Sequence, residues 1–101
     1  MTRRVVFSPE ALAQVDDLET YLTDAADPAV AARYVDRLLD FCDSLADEPI
    51  IGRQRPELIP GLMTRIFEKS RVVCFLLLDD EIHVIAIFGG RQDWEHRLRP
   101  A

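Results

Sequence analysis

Residues 71–78, Arg71-Val72-Val73-Cys74-Phe75-Leu76-Leu77-Leu78, place seven apolar side chains in succession behind one arginine. The β-branched and aromatic content reads as a strand. In a sheet with helices on one face and water on the other, each strand alternates apolar and polar groups. This run does not alternate, and neither does 82–88, where Ile82, Val84, Ala86 and Phe88 oppose Ile85 and Ile87 with His83 as the one polar side chain. Both strands therefore need apolar cover on two faces.

Leu62 to Phe67 is a third strand-like run, and Glu68-Lys69-Ser70 and Asp79-Asp80-Glu81 are short enough to turn hairpins. The three runs form an antiparallel meander. Gly89-Gly90 ends it and leaves 91–101 as a short tail or partial helix. Towards the N-terminus, 52–61 carries Pro56, Pro60 and two glycines and reads as a connecting loop.

Before that loop the period becomes helical. Arg4 to Phe7 is a short strand, and Ser8-Pro9-Glu10 supplies a cap, a first-position proline and a first-turn acid. Leu12, Val15, Leu18 and Leu22 make the apolar stripe of a helix ending near Thr23, with Gln14, Asp16, Asp17 and Glu19 facing away. Asp27-Pro28 repeats the start signal, and Ala31, Tyr34, Val35, Leu38, Phe41, Cys42 and Leu45 mark a second stripe that stops before Pro49. The expected fold is α+β, in the order β-α-α-β-β-β, with a helical hairpin packed on one face of a small, mostly antiparallel sheet. Residues 1–101 make a single domain. Two helices cover only one face, so the tail, the 52–61 loop, a second copy or a partner protein covers the other. A partner is favoured, because the tail is polar and large apolar patches mark interaction sites.

The net charge of −6 disfavours non-specific nucleic-acid binding, which depends on neutralising phosphates. The acidity lies in the first fifty residues, with four Arg against eleven Asp or Glu; the rest holds eight basic and seven acidic groups. Cys42 and Cys74 sit in apolar surroundings and read as reduced core thiols of a cytoplasmic protein. The three-residue apolar run before Ser8 is too short for a signal or membrane segment.

Little in the sequence points to bond-making chemistry. His83 and His96 are the only histidines, and neither they nor the two cysteines have metal-site spacing. No phosphate-cradling glycine loop is present, and the expected cofactor and metal content is none. Asp16-Asp17 and Asp79-Asp80 are consecutive, so they read as helix-surface and turn residues. What remains is an arginine set, Arg53, Arg55, Arg65, Arg71, Arg91, Arg97 and Arg99, with Trp94 among its last members. Arginine and tryptophan are the types most enriched at binding hot spots. Trp94 is equally suited to anchoring the tail over the open sheet face.

Several fragments in this order, Val5-Val6-Phe7-Ser8-Pro9-Glu10-Ala11, Ala31-Ala32-Arg33-Tyr34-Val35-Asp36, Pro49-Ile50-Ile51-Gly52-Arg53, Pro60-Gly61-Leu62-Met63 and Phe88-Gly89-Gly90-Arg91-Gln92-Asp93-Trp94-Glu95, resemble a ParE toxin of the RelE/ParE superfamily. The resemblance spans nearly the whole chain. It implies the toxin of a type II toxin–antitoxin pair, neutralised by a ParD-like antitoxin that wraps the helical hairpin and sheet. It also implies one of two targets, since RelE-like members cut messenger RNA on the ribosome and ParE-like members poison DNA gyrase.

Ribonuclease action needs an acid, a base and cations about the phosphate. Here the lysines of a RelE-like cleft are missing, Tyr21 and Tyr34 are on helices, and the net charge is unfavourable for ribosomal RNA. The expectation is therefore a non-enzymatic gyrase inhibitor with no catalytic residue, no sequence-specific nucleic-acid binding and no membrane association. Arg65, Arg71, Arg91, Asp93 and Trp94 are the expected gyrase contacts, and Leu18, Leu22 and Tyr34 the expected antitoxin contacts. The alternatives are a ribosome-dependent ribonuclease and a non-toxic co-regulator bound to its antitoxin.

Overall fold

A computed structural model describes residues 3–47 and 52–99. Its order is β1 (Arg4–Phe7), α1 (Pro9–Ala25), α2 (Pro28–Ser44), β2 (Arg53–Gln54), β3 (Leu62–Phe67), β4 (Arg71–Leu78), β5 (Glu81–Gly89) and α3 (Trp94–Leu98). The sheet order is β1-β5-β4-β3-β2, with β1 parallel to β5 and every other pairing antiparallel. This is the expected α+β arrangement, with two refinements. The 52–61 loop contributes a two-residue edge strand, Arg53 opposite Thr64 and Gln54 opposite Met63. The tail forms one short helix.

Both long helices start where the caps predicted. The Ser8 hydroxyl accepts from the Ala11 N–H at 3.0 Å, and the Asp27 carboxylate from that of Val30 at 2.9 Å. Ser8 also donates to the Ile85 carbonyl at 2.9 Å, tying the start of α1 to β5. Two residues farther along β5, the Ile87 N–H donates to the Gln14 Oε1 at 2.6 Å. These bonds fix the rotation of α1 and correct its stripe. Ala11, fully buried, takes the core position expected for Leu12, and Leu12 is 51% exposed. Gln14, expected to face water, is part of the junction with the sheet.

Between β4 and β5 the register steps from Cys74 opposite Ala86 to Phe75 opposite Val84, leaving Ile85 as an extra, bulged residue. The bulge reverses the phase of β5. Ile82, Val84 and Ile87 join Val73 and Phe75 against the helices, while Ala86 and Phe88 join Val72 and Cys74 on the opposite face. The bulged carbonyl is the one that Ser8 satisfies.

The expectation that a partner covers the second face is corrected. Leu58 and Ile59 of the loop and Trp94 and Leu98 of the tail pack against Leu62, Val72, Cys74, Ala86 and Phe88. A mostly polar tail suffices because two apolar groups four residues apart share one side of its single helical turn. The cover is incomplete at the sheet's margins, where Ile66 and Leu78 remain exposed.

Two measurements check this packing. Leu58→Ala should lower unfolding free energy by about 2–4 kcal/mol, as for a core leucine, read from the urea midpoint; an unpacked loop leucine would change it little. Burial pushes the thiols of both Cys42 and Cys74 up to about 12. Native protein should therefore resist thiol reagents at pH 8, whereas urea-unfolded protein reacts. Because an unfolded thiol ionises near pH 9, the contribution of these buried thiols to stability is complete below that pH and declines from pH 9 towards 12.

Candidate functional site

A cleft of about 890 Å³ lies between α1 and the end of the sheet where the β3–β4 turn meets the tail. Glu10, Gln14, Asp17 and Tyr21 line one wall at helical spacing, with Leu18 beside them. Lys69, Arg71, Arg91 and Arg97 line the other. An acidic-aromatic wall thus faces a cationic one.

The seating of Arg71 explains a glycine. Arg71 lies opposite Gly89 in the β4–β5 register, and a Cβ on Gly89 would stand 2.7 Å from the Arg71 Nη1. The bare glycine lets the guanidinium lie across β5. Its Nε is buried with no hydrogen-bond partner. The adjoining backbone is held by Gly89 N–H donating to the Gln92 Oε1 at 2.7 Å and Gly90 N–H donating to the Ser70 carbonyl at 2.8 Å.

Lys69 is presented by the three-residue turn 68–70, in which Glu68 and Lys69 have φ of 48° and 61°. A side chain in the left-handed region costs about 1–2 kcal/mol. Helix α2 clamps the turn. Arg37 donates to Glu68 at 2.9 and 3.3 Å, and the Tyr34 hydroxyl bonds the Ser70 hydroxyl at 2.9 Å. The Arg37 bond holds the Glu68 carboxyl below its ordinary range. Tyr34 also meets Phe67 edge-on at 5.7 Å.

Of the expected target contacts, Arg71 and Arg91 come together in the cleft. Asp93 caps α3, its carboxylate accepting from the His96 N–H at 3.4 Å, and Trp94 stacks on Phe88 at 6.4 Å over the second face. Arg65 is elsewhere: its guanidinium lies 5.1 Å over the Phe41 ring of α2. Of the expected antitoxin contacts, Leu18 belongs to the core, and Leu22 and Tyr34 are partly buried at its margin. His83 bonds Glu81 at 2.7 Å, and neither it nor His96 lines the cleft. Arg4, then His83, holds the Glu81 carboxyl below its ordinary range.

Sequence reasoning missed the α1 wall. Its signal was present, since Glu10, Gln14, Asp17 and Tyr21 repeat at i, i+4, i+7 and i+11 immediately beside Ala11, Val15, Leu18 and Leu22. It also treated the basic cleft as lacking lysine, whereas the turn brings Lys69 there. Among the described residues no group of three or more His, Cys, Asp or Glu could hold a metal ion, and no helix is long and apolar enough to cross a membrane.

The left-handed turn yields a test. Lys69→Gly should raise stability by about 1 kcal/mol in urea unfolding while removing one cleft cation. A loss of stability would show that the turn is not strained.

Comparison with known proteins bears on this site. The family model described as ParE toxin of type II toxin-antitoxin system, parDE, matches residues 5–94. A solved structure titled "Chromosomal ParDE TA system from P. aeruginosa" superposes with a TM-score of 0.75 at 20% identity, covering 87% of this chain and 96% of that one. The two share a fold. No curated protein matches in sequence.

Proposed function

The chain belongs to the ParE toxin family of type II toxin–antitoxin systems, and we propose from that premise that it inhibits DNA gyrase and is neutralised by a ParD-like antitoxin in the cytoplasm. The observation that carries the target reading is the convergence of Arg71 and Arg91 at one end of the sheet, with Asp93 and Trp94 following on the tail. Such a patch binds a protein without chemistry of its own: arginines give planar, directional donors, and the facing Glu10 and Asp17 select against a polyanion. The toxin would hold gyrase by surface complementarity and supply no catalytic group. Arg65, on the α2 side, would add a contact only if the gyrase surface extends around the β3 edge.

The antitoxin reading draws on the helical hairpin. Leu22 and Tyr34 are accessible apolar anchors at the hairpin's margin, and Leu18 adds its remaining edge to the cleft. An amphipathic segment seats on such spaced anchors.

One observation favours a second reading, ribosome-dependent RNA cleavage. Tyr21, Lys69, Arg71, Arg91 and Arg97 share the cleft, which is a set able to surround a phosphate. The two carboxylates on the opposite wall and the net charge of −6 count against it. A non-toxic co-regulator is the remaining alternative.

The test is pulse-labelling of DNA and protein synthesis within minutes of inducing the chain without antitoxin, with supercoiling by purified gyrase alongside. DNA synthesis should fall first. Arg71→Ala and Arg91→Ala should each weaken gyrase inhibition by about tenfold or more, the scale of an interface hot spot. An earlier fall in protein synthesis replaces gyrase with the ribosome, and no fall in either supports the co-regulator. Leu22→Ala should weaken antitoxin binding and leave gyrase inhibition intact.

A further inference from the structure

Helix α3 is five residues long and none of them is buried, so it does not hold itself in place. Two apolar contacts reach the sheet, Trp94 on Phe88 and Leu98 on the second-face cluster. Arg97 adds its guanidinium 5.1 Å over the Phe88 ring, and the remaining attachment is Arg55, which the sequence places among the arginines available for binding. It is not available, being only 8% exposed.

Arg55 is fixed first by its own loop. Its N–H donates to the Leu62 carbonyl at 2.9 Å, and its carbonyl accepts from Leu58 at 3.1 Å. From that anchored backbone one guanidinium reaches in two directions. Nε donates to Glu57 of the same loop at 2.7 Å, whereas Nη2 donates to Glu95 of α3 and the guanidinium carbon lies 5.4 Å over the Trp94 ring. Both carboxylates help keep this guanidinium charged, Glu95 more strongly than Glu57. The fork and the flat face are used together, which a lysine ammonium cannot reproduce.

We propose that Arg55 is a positioning residue for target binding: by latching Glu95 and Trp94 it sets α3 on the sheet and so fixes the direction in which Arg91 and Asp93 meet the target. The latch itself is a property of this chain, and its consequence for inhibition rests on the gyrase reading. Glu57 provides the internal control. It bonds the same guanidinium but belongs to the loop, so losing it leaves the tail attached.

Trp94 is the only tryptophan in the chain, so its fluorescence reports the tail directly. Full-length Glu95→Gln, Arg55→Gln and Arg55→Lys should increase acrylamide quenching of Trp94 and speed amide exchange over 94–99. Losing a charge-assisted hydrogen bond should also raise the half-inhibitory concentration against gyrase by about tenfold. Glu57→Gln should change none of these, and antitoxin affinity should stay within about twofold for all four, because Leu22 and Tyr34 pack against the helix-side cluster whereas Trp94 and the latch lie on the second face. A general structural role would instead lower antitoxin affinity and gyrase inhibition together. Unchanged quenching in Glu95→Gln, equal quenching in Glu57→Gln, or a loosened Trp94 with undiminished inhibition would each overturn the proposal. If Arg55 variants fail to fold, Glu95→Gln alters a partly exposed carboxylate and carries the test. A wild-type chain without effect on gyrase overturns the target reading, and with it the positioning role in gyrase inhibition, while the quenching series still decides whether the latch exists.

Discussion

A central pair of strands with no polar face constrains everything around it. Val73 and Phe75 of β4 point to one side and Val72 and Cys74 to the other, and all four are buried. Burial of each large apolar side chain is worth about 1.5–3 kcal/mol, so leaving either face wet would forfeit a sum comparable with a small domain's whole stability. Two helices cover the first face. The second is covered by what remains of the chain, a proline-rich loop and a short tail, which is why these irregular segments are tightly bound here. Leu58 is 1% exposed, within a per cent of the deepest helix residues of the core.

That covering determines where a functional surface can form. On the helix side, Ser8 and Gln14 bond to β5 at the bulge and beyond it, which orients α1 so that Glu10, Asp17 and Tyr21 overhang the end of the sheet. Across from them the β3–β4 turn takes a backbone conformation that its residues disfavour, held by Arg37 and Tyr34 from α2. Gly89 gives up a side chain so that Arg71 can lie across the strand. Strain, a missing Cβ and a partnerless buried guanidinium nitrogen converge on this one end of the molecule. Such departures from ordinary packing persist where the surrounding structure over-determines them, and they concentrate at functional sites.

Periodicity and caps made the order of elements, the helical hairpin and the two-faced sheet legible, because those features depend on local residue type. The bulge at Ile85 was not legible: a run of apolar residues carries the same pattern whether or not one of them is extra, so the phase of β5 follows from pairing alone. The rotation of α1 was hidden for a related reason. Leu12 and Ala11 are adjacent, either fits an apolar stripe, and the choice was made by polar bonds to a strand more than seventy residues away. The identity of the second face's cover was hidden by an average, since a tail polar in composition still held Trp94 and Leu98 at the right spacing.

The arginines show how tertiary context divides residues that composition treats as equal. Arg55 spends its fork on Glu57 and Glu95 and its face on Trp94, so its binding capacity is consumed inside the fold. Arg65 lies over Phe41, and Arg97 sits 5.1 Å over Phe88 while reaching the cleft. Arg71 has desolvated Nε without giving it a partner. A donor held in that state has already borne part of the cost of leaving water, so a carboxylate or carbonyl brought to it gains more than it would at a freely hydrated arginine. Among the arginines lining the cleft, the one best suited to a partner is therefore the one whose place was prepared by a glycine on the next strand.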